Sequence, residues 1–215
     1  TIPSLTLMAA WGIVALTILI EAARGLDYAH RKTQPNGSPL GLVHRDVTTR
    51  NLLVSLEGEV KWIDFGLARA LKRDGRDSLV AGTLAYMSPE LLRGREATEV
   101  SDVYALGATL YHCLSGAPPF GSEMTSIQSM ASRRWAPDVR KANVAVGVAF
   151  ARVVGRCLEP DPRDRYCDAA EVLADLQHVH RGEPVRLSFS LGRAWRHHRR
   201  AVLRGAGAVL VAALL

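Results

Sequence analysis

The sequence predicts a mainly α-helical fold that carries one small β-hairpin, and three observations say so. Apolar residues recur at helical spacing early, at Ile18, Ala22, Leu26 and Ala29, and again in "SDVYALGATLYHCLSG", "AVGVAFARVVGRCLEP" and "DAAEVLADLQHVH". Two short apolar runs, "NLLVS" and "EVKWIDF", flank Leu56-Glu57-Gly58 and form a hairpin pattern. With 215 residues, 48% of them hydrophobic and 22% charged, the chain can bury one sizeable core and a short appendage.

Taken in order, residues 1–20 carry no charge, and the apolar pattern runs on into "EAARGLDYAH". The reading is one mostly buried helix from Gly12 to Arg31. A membrane span is the alternative, although the segment falls short of the usual ~20 apolar residues once Thr1 to Ser4 are set aside. No basic stretch or small-residue cleavage pattern marks a signal peptide. "PNGSP" at 35–39 is a surface turn, since Pro presets φ and Asn-Gly supplies positive φ. The hairpin follows. After Glu90 the chain turns helical, and Gly116 stops a helix before Ala-Pro-Pro. Pro184 ends the globular unit, which divides the chain into 1–183, a basic segment 184–204, and an uncharged run 205–215.

The formal charge of +6 belongs to the tail: from Arg181 onward there are seven arginines and one glutamate, and the remaining chain is balanced. No nucleic-acid partner is expected. Arg193, Arg196, Arg199, Arg200 and Arg204 followed by uncharged residues fit a juxtamembrane segment and the start of a truncated transmembrane helix, with the globular part on the cytoplasmic side. A basic arm explains the arginines but not the apolar run. Cys113, Cys157 and Cys167 lie far apart without a C-x-x-C pair, so they are expected to be buried free thiols rather than a disulfide or zinc framework.

The informative feature is a series of motifs in order: "HRD" at 44–46, Asn51 five residues after its Asp, "DFG" at 64–66, "GTLAYMSPE" at 82–90, "SDVYALG" at 101–107 and "DPRDRY" at 161–166. Together they resemble the catalytic lobe of eukaryotic-type protein kinases, and more closely the bacterial transmembrane Ser/Thr protein kinases, over roughly residues 12–180. The resemblance implies a kinase-like C-terminal lobe with ATP and Mg2+ as nucleotide and metal, protein substrates, and a cytoplasmic lobe anchored to the inner membrane. A homodimer is compatible with it.

Phosphoryl transfer mainly needs positioned groups and neutralised charge, which acidic metal ligands and one proton-accepting group supply. By match to the family, Asp46 accepts the substrate hydroxyl proton, Asn51 and Asp64 hold magnesium, and Leu53 lies beneath the adenine ring. His44 and Phe65 match packing residues between the lobes. Glu90 and Arg165 match a buried ion pair. Asp102 either caps its helix or binds the catalytic-loop backbone. Arg45 matches the residue that pairs with a phosphorylated activation loop, and Ser78, the only hydroxyl side chain between Phe65 and Gly82, is the expected phosphosite. Thr83 matches a residue that shapes the substrate site.

Three departures stand out. No Gly-rich loop, strand lysine or partner glutamate precedes Asp46, so a missing N-lobe is expected. Thr48 stands where these loops commonly carry lysine, and a threonine cannot supply its charge. Arg50 stands where tyrosine kinases carry the arginine of "AARN" and could take over that charge; a solvated surface arginine is the alternative. On this basis replacing Arg50 should be severe and replacing Thr48 mild. The functional reading is a protein Ser/Thr kinase present as a fragment; the competing one is a non-catalytic pseudokinase or truncated binding module.

Overall fold

The computed structural model describes residues 5–65, 84–121 and 135–185, with side chains from Val14 onward. Ser78, Thr83, Gly66, and the basic and uncharged segments from Arg186 to Leu215 lie outside the described residues.

The described part is mainly helical with one two-stranded sheet. Helix α1 spans Leu5–His30, strands β1 and β2 span Leu52–Val54 and Val60–Trp62, and four further helices follow: α2 Pro89–Leu92, α3 Glu99–Ser115, α4 Val148–Cys157 and α5 Ala169–His180. Helix α1 begins seven residues before the expected Gly12, because "LTLMAAW" contains no helix breaker. Its inner face, Leu19, Ala22, Ala23 and Leu26, is fully buried and lies against α5, β2 and α3. Among the described residues no helix is long and apolar enough to cross a membrane.

The expected turn at "PNGSP" closes on itself: Gln34 N donates to Ser38 O at 2.8 Å, and Gly37 takes φ 82°. The hairpin pairs Leu52 with Trp62, Leu53 with Lys61 and Val54 with Val60 in antiparallel register. It is fastened to α1 by Trp62, whose indole Nε1 donates to Ala22 O at 2.7 Å.

Helix α3 is the central post. Thr98 caps it, with Thr98 and Ser101 exchanging side-chain and backbone hydrogen bonds, and Gly116 closes its other end at φ 81°. Ten of its residues are buried, among them Val103, Tyr104, Leu106 and Leu110, so it is enclosed on nearly all sides. Helix α4 starts at Val148 rather than at Ala145, because Gly147 stays extended and serves as its N-cap. Helices α3 and α4 approach closely at Gly107, where an added Cβ would stand 2.4 Å from Cys157 Cβ. Only Cys157 is a buried cysteine; Cys113 and Cys167 are exposed, against the expectation of three buried thiols. Burial pushes the Cys157 thiol up to about 12, although the nearby Arg156 and Arg165 charges oppose the shift.

Gly107→Ala forces α3 and α4 apart at this point. Alanine raises helix propensity by about 1 kcal/mol, but overpacking costs typically 1–3 kcal/mol, so urea unfolding should show a net loss of stability. An unchanged or raised midpoint would contradict the close packing at this crossing.

Candidate active site

The site is built on one buried carboxylate. Asp102, in the first turn of α3 and 2% exposed, accepts from His44 N at 2.7 Å through Oδ2 and from Arg45 N at 2.9 Å through Oδ1. His30 Nε2, at the end of α1, lies 3.0 Å from the same Oδ2. Of the two roles left open for Asp102, the geometry shows the backbone contact, since Thr98 is the cap. The two amides it holds flank a turn that is unfavourable for most residues: Arg45 has φ 70°. Left-handed backbone at a non-glycine residue costs on the order of 1–3 kcal/mol, and the two charge-assisted hydrogen bonds offset it at about 1.5–3 kcal/mol each.

That turn presents Asp46. Asn51 Nδ2 donates to Asp46 Oδ2 at 2.9 Å and to Asp46 O at 2.8 Å, so the loop closes on itself through one amide. Asn51 is in turn tied to the hairpin, because Ile63 N donates to Asn51 O at 3.0 Å. The antiparallel register therefore places Asn51, just before β1, beside Ile63 and Asp64, just after β2. Asp64 is exposed, adopts φ 60°, and makes no hydrogen bond or ion pair among the described residues. Asn51, with its amide nitrogen engaged by Asp46, has only its side-chain oxygen left as a ligand atom. Two oxygen donors at one end of a hairpin suit a hard divalent cation such as magnesium.

His44 is fully buried, with its ring edge-on to Trp62 at 5.5 Å and tilted against Phe65 at 4.3 Å. Burial lowers its pKa from the ordinary 6.5, although the nearby Asp102 carboxylate opposes the shift. Leu53 is 52% exposed on β1, an apolar side chain facing outward. Arg45 and Arg50 are exposed.

The far end of the site is held by a second buried charge. Arg165 grips Glu90 with both arms, at 2.6 Å and 2.8 Å, and also donates to the carbonyls of Glu159, Val100 and Pro160. Burial pushes the Glu90 carboxyl up, but the Arg165 guanidinium pulls it further down, with smaller help from its own backbone and the nearby Ser88 hydroxyl, so it ends below the usual value.

Several partners were not visible in the motifs. His30 reaches Asp102 across 72 positions of sequence. Tyr86 hydrogen-bonds both Thr49 Oγ1, at 3.0 Å, and His112 Nδ1, which links the catalytic loop to the end of the activation segment and to α3. Burial raises the Tyr86 hydroxyl and lowers the His112 ring relative to their ordinary values. Thr109 Oγ1 donates to Val47 O at 3.3 Å from the middle of α3. No local pattern announces any of these, because each depends on a residue brought in from another element.

The described residues thus form a mainly helical lobe that presents Asp46, Asn51 and Asp64 at the mouth of a short hairpin. The protein kinase domain family matches residues 13–177, and the chain belongs to it. It is similar to serine/threonine-protein kinase PknB of Mycobacterium tuberculosis (strain ATCC 25618 / H37Rv), 36% identical over 175 residues, which cover 79% of this chain and 27% of that protein. Serine/threonine-protein kinase PknL of Mycobacterium tuberculosis (strain CDC 1551 / Oshkosh) is 38% identical over 169 residues, covering 76% of this chain and 40% of that protein. Tyrosine-protein kinase MasK of Myxococcus xanthus (strain DK1622) is 36% identical over 166 residues, covering 75% and 25%. The chain thus spans only about a quarter to two-fifths of the length of these relatives.

Removing either partner of the Glu90–Arg165 pair should cost about 3–5 kcal/mol, because the other charge is left buried; urea unfolding of Glu90→Ala and Arg165→Ala measures it. Stability should also fall with acid. His44 and His112 have lowered pKa values, so the unfolded chain takes up their protons first and stability present above 6.5 is lost below it. Glu90 extends the loss below 4.5, since its carboxylate must be protonated against Arg165. Unfolding midpoints that stay constant from pH 8 to about pH 2 would contradict both.

Proposed function

We propose that this chain is the substrate- and metal-binding lobe, spanning residues 1–183, of a protein serine/threonine kinase that transfers the γ-phosphoryl group of ATP to a hydroxyl of a protein substrate. The observation that carries the reading is the coupling of Asp46 to Asn51, and of Asn51 through Ile63 to the position before Asp64. Serine/threonine specificity is supported by "GTLAYMSPE" and by the names of PknB and PknL. The similarity to a relative named as a tyrosine kinase leaves the acceptor to experiment.

In this mechanism Asp46 accepts the proton of the substrate hydroxyl as its oxygen bonds to the γ-phosphorus and the bond to the β–γ bridging oxygen breaks, releasing ADP. Asn51 Nδ2 fixes the Asp46 carboxylate through Oδ2. Asn51 and Asp64 would hold magnesium, which when bound neutralises charge on the nucleotide phosphates. Leu53 offers the adenine ring an apolar surface. Arg50, close enough to influence Tyr86, supplies positive charge near the transferred group in place of the lysine that Thr48 replaces. Arg45 pairs with a phosphorylated Ser78, and Thr83 shapes the acceptor site. A membrane anchor beginning at Gly205 belongs to the same proposal and rests on the arginines before it. The competing reading, a lobe that docks partners without transferring phosphate, is favoured by Thr48.

The decisive experiment uses the full-length gene product with magnesium–ATP and a serine-containing protein substrate. Asp46→Asn should lower turnover by about 10²–10⁴-fold with the fold intact. Arg50→Ala should lower turnover while leaving nucleotide affinity nearly unchanged, as expected of a contact strongest in the transition state. A parent without phosphotransfer, or an Asp46→Asn variant as active as the parent, would favour the non-catalytic reading.

A further inference from the structure

His112 belongs to none of the motifs, yet it is joined to the catalytic loop through a single intermediate. It lies in the last turn of α3, half-buried, and its Nδ1 hydrogen-bonds the Tyr86 hydroxyl. The two rings are tilted at 32° with centroids 5.9 Å apart. The same hydroxyl meets Thr49 Oγ1 at 3.0 Å. One phenol oxygen therefore joins α3, the segment 84–88 and the turn Thr49–Asn51.

A histidine in the last turn of a helix ordinarily serves as a cation that offsets the helix dipole. Here burial lowers its pKa below the ordinary 6.5, against a smaller opposing hydrogen bond with the Gly116 backbone, so the ring is uncharged at neutral pH. Its use is as a hydrogen-bond partner instead. Tyr86 is 6% exposed, and burial raises its pKa, so the hydroxyl keeps its proton. A buried hydroxyl needs a partner, and this one has two, on different elements.

The nucleotide side of the site is fastened without it. Asn51 is held by its own amide to Asp46 and by its carbonyl to Ile63 N, and the hairpin that carries Leu53 is tied to α1 by Trp62. What Tyr86 holds is Thr49, with Arg50 beside it, and the segment before α2. Arg165 secures that segment at Glu90, and Tyr86 secures it four residues earlier. We infer that His112 is a positioning residue for the protein-substrate side of the site: by holding the Tyr86 hydroxyl on Thr49, it fixes the segment 84–88 against the catalytic loop. The role rests on the kinase reading above.

The test is steady-state kinetics of the full-length gene product on magnesium–ATP and a serine-containing protein substrate, for the parent, His112→Ala, His112→Asn, Tyr86→Phe and the Tyr86→Phe/His112→Ala pair. His112→Ala should lower kcat/KM for the protein substrate about tenfold, the size of one lost hydrogen bond. The loss should fall on the KM for that substrate and leave the KM for ATP unchanged. His112→Asn should restore the parent value, because its amide offers an oxygen and a nitrogen near the place of Nδ1 and can meet the phenol in either direction. Tyr86→Phe should lose more, since it breaks both bonds, and adding His112→Ala to it should cost nothing further. A merely structural histidine would lower the unfolding midpoint and the amount of active enzyme without moving the KM for the protein substrate. His112→Ala with parent kinetics, a loss that falls on the KM for ATP, an asparagine no better than alanine, or additive losses in the pair would each overturn the inference. Where His112→Ala does not fold, the other two single variants decide: parent-like His112→Asn beside impaired Tyr86→Phe supports the role, and two equally impaired or two parent-like variants overturn it. A parent without phosphotransfer overturns the proposed function itself, and this role with it.

Discussion

The carboxylate of Asp102 is the constraint on which the site depends. It is buried within the first turn of α3, and it is satisfied only if the backbone amides of His44 and Arg45 come to it and His30 meets it from α1. A buried charge without such partners is too costly to keep, so the catalytic loop, α1 and α3 must assemble together. The left-handed turn at Arg45, which no local preference favours, is a consequence of this assembly.

From that turn the remaining groups follow by short links. Asp46 emerges next to the fixed amides and is caught by Asn51. Asn51 opens the hairpin, whose register returns the chain to Asp64. Trp62 fastens the hairpin to α1 and supports the buried His44 ring edge-on. At the far end Arg165 fixes Glu90 within α2, and just before that helix Tyr86 hydrogen-bonds Thr49 of the catalytic loop. Two buried charges, each satisfied by groups distant in sequence, thus hold the two ends of this arrangement.

Much of this was legible from the letters. The hairpin at 52–62, the helices ending at Gly116 and starting at Asp168, and the roster Asp46, Asn51 and Asp64 follow from periodicity, turn residues and motif spacing. Those signals are local or sequential: a helical stripe, an αL glycine or a fixed interval can be read without knowing where the chain goes. The exposure of Cys113 and Cys167 was not legible, since it depends on which face a neighbouring element covers.

The sequence by itself determined the inventory of chemical groups, their order and the elements that carry them, because side-chain type and local backbone preference are properties of short stretches. Only the tertiary structure decided which role Asp102 takes, that His30 and Thr109 support the catalytic loop, and that Thr48 and Ser88 are buried without capping the turns they precede. The reason is that hydrogen-bond partnership and burial are set by distance in space, and here the partners stand 57 to 75 positions apart along the chain.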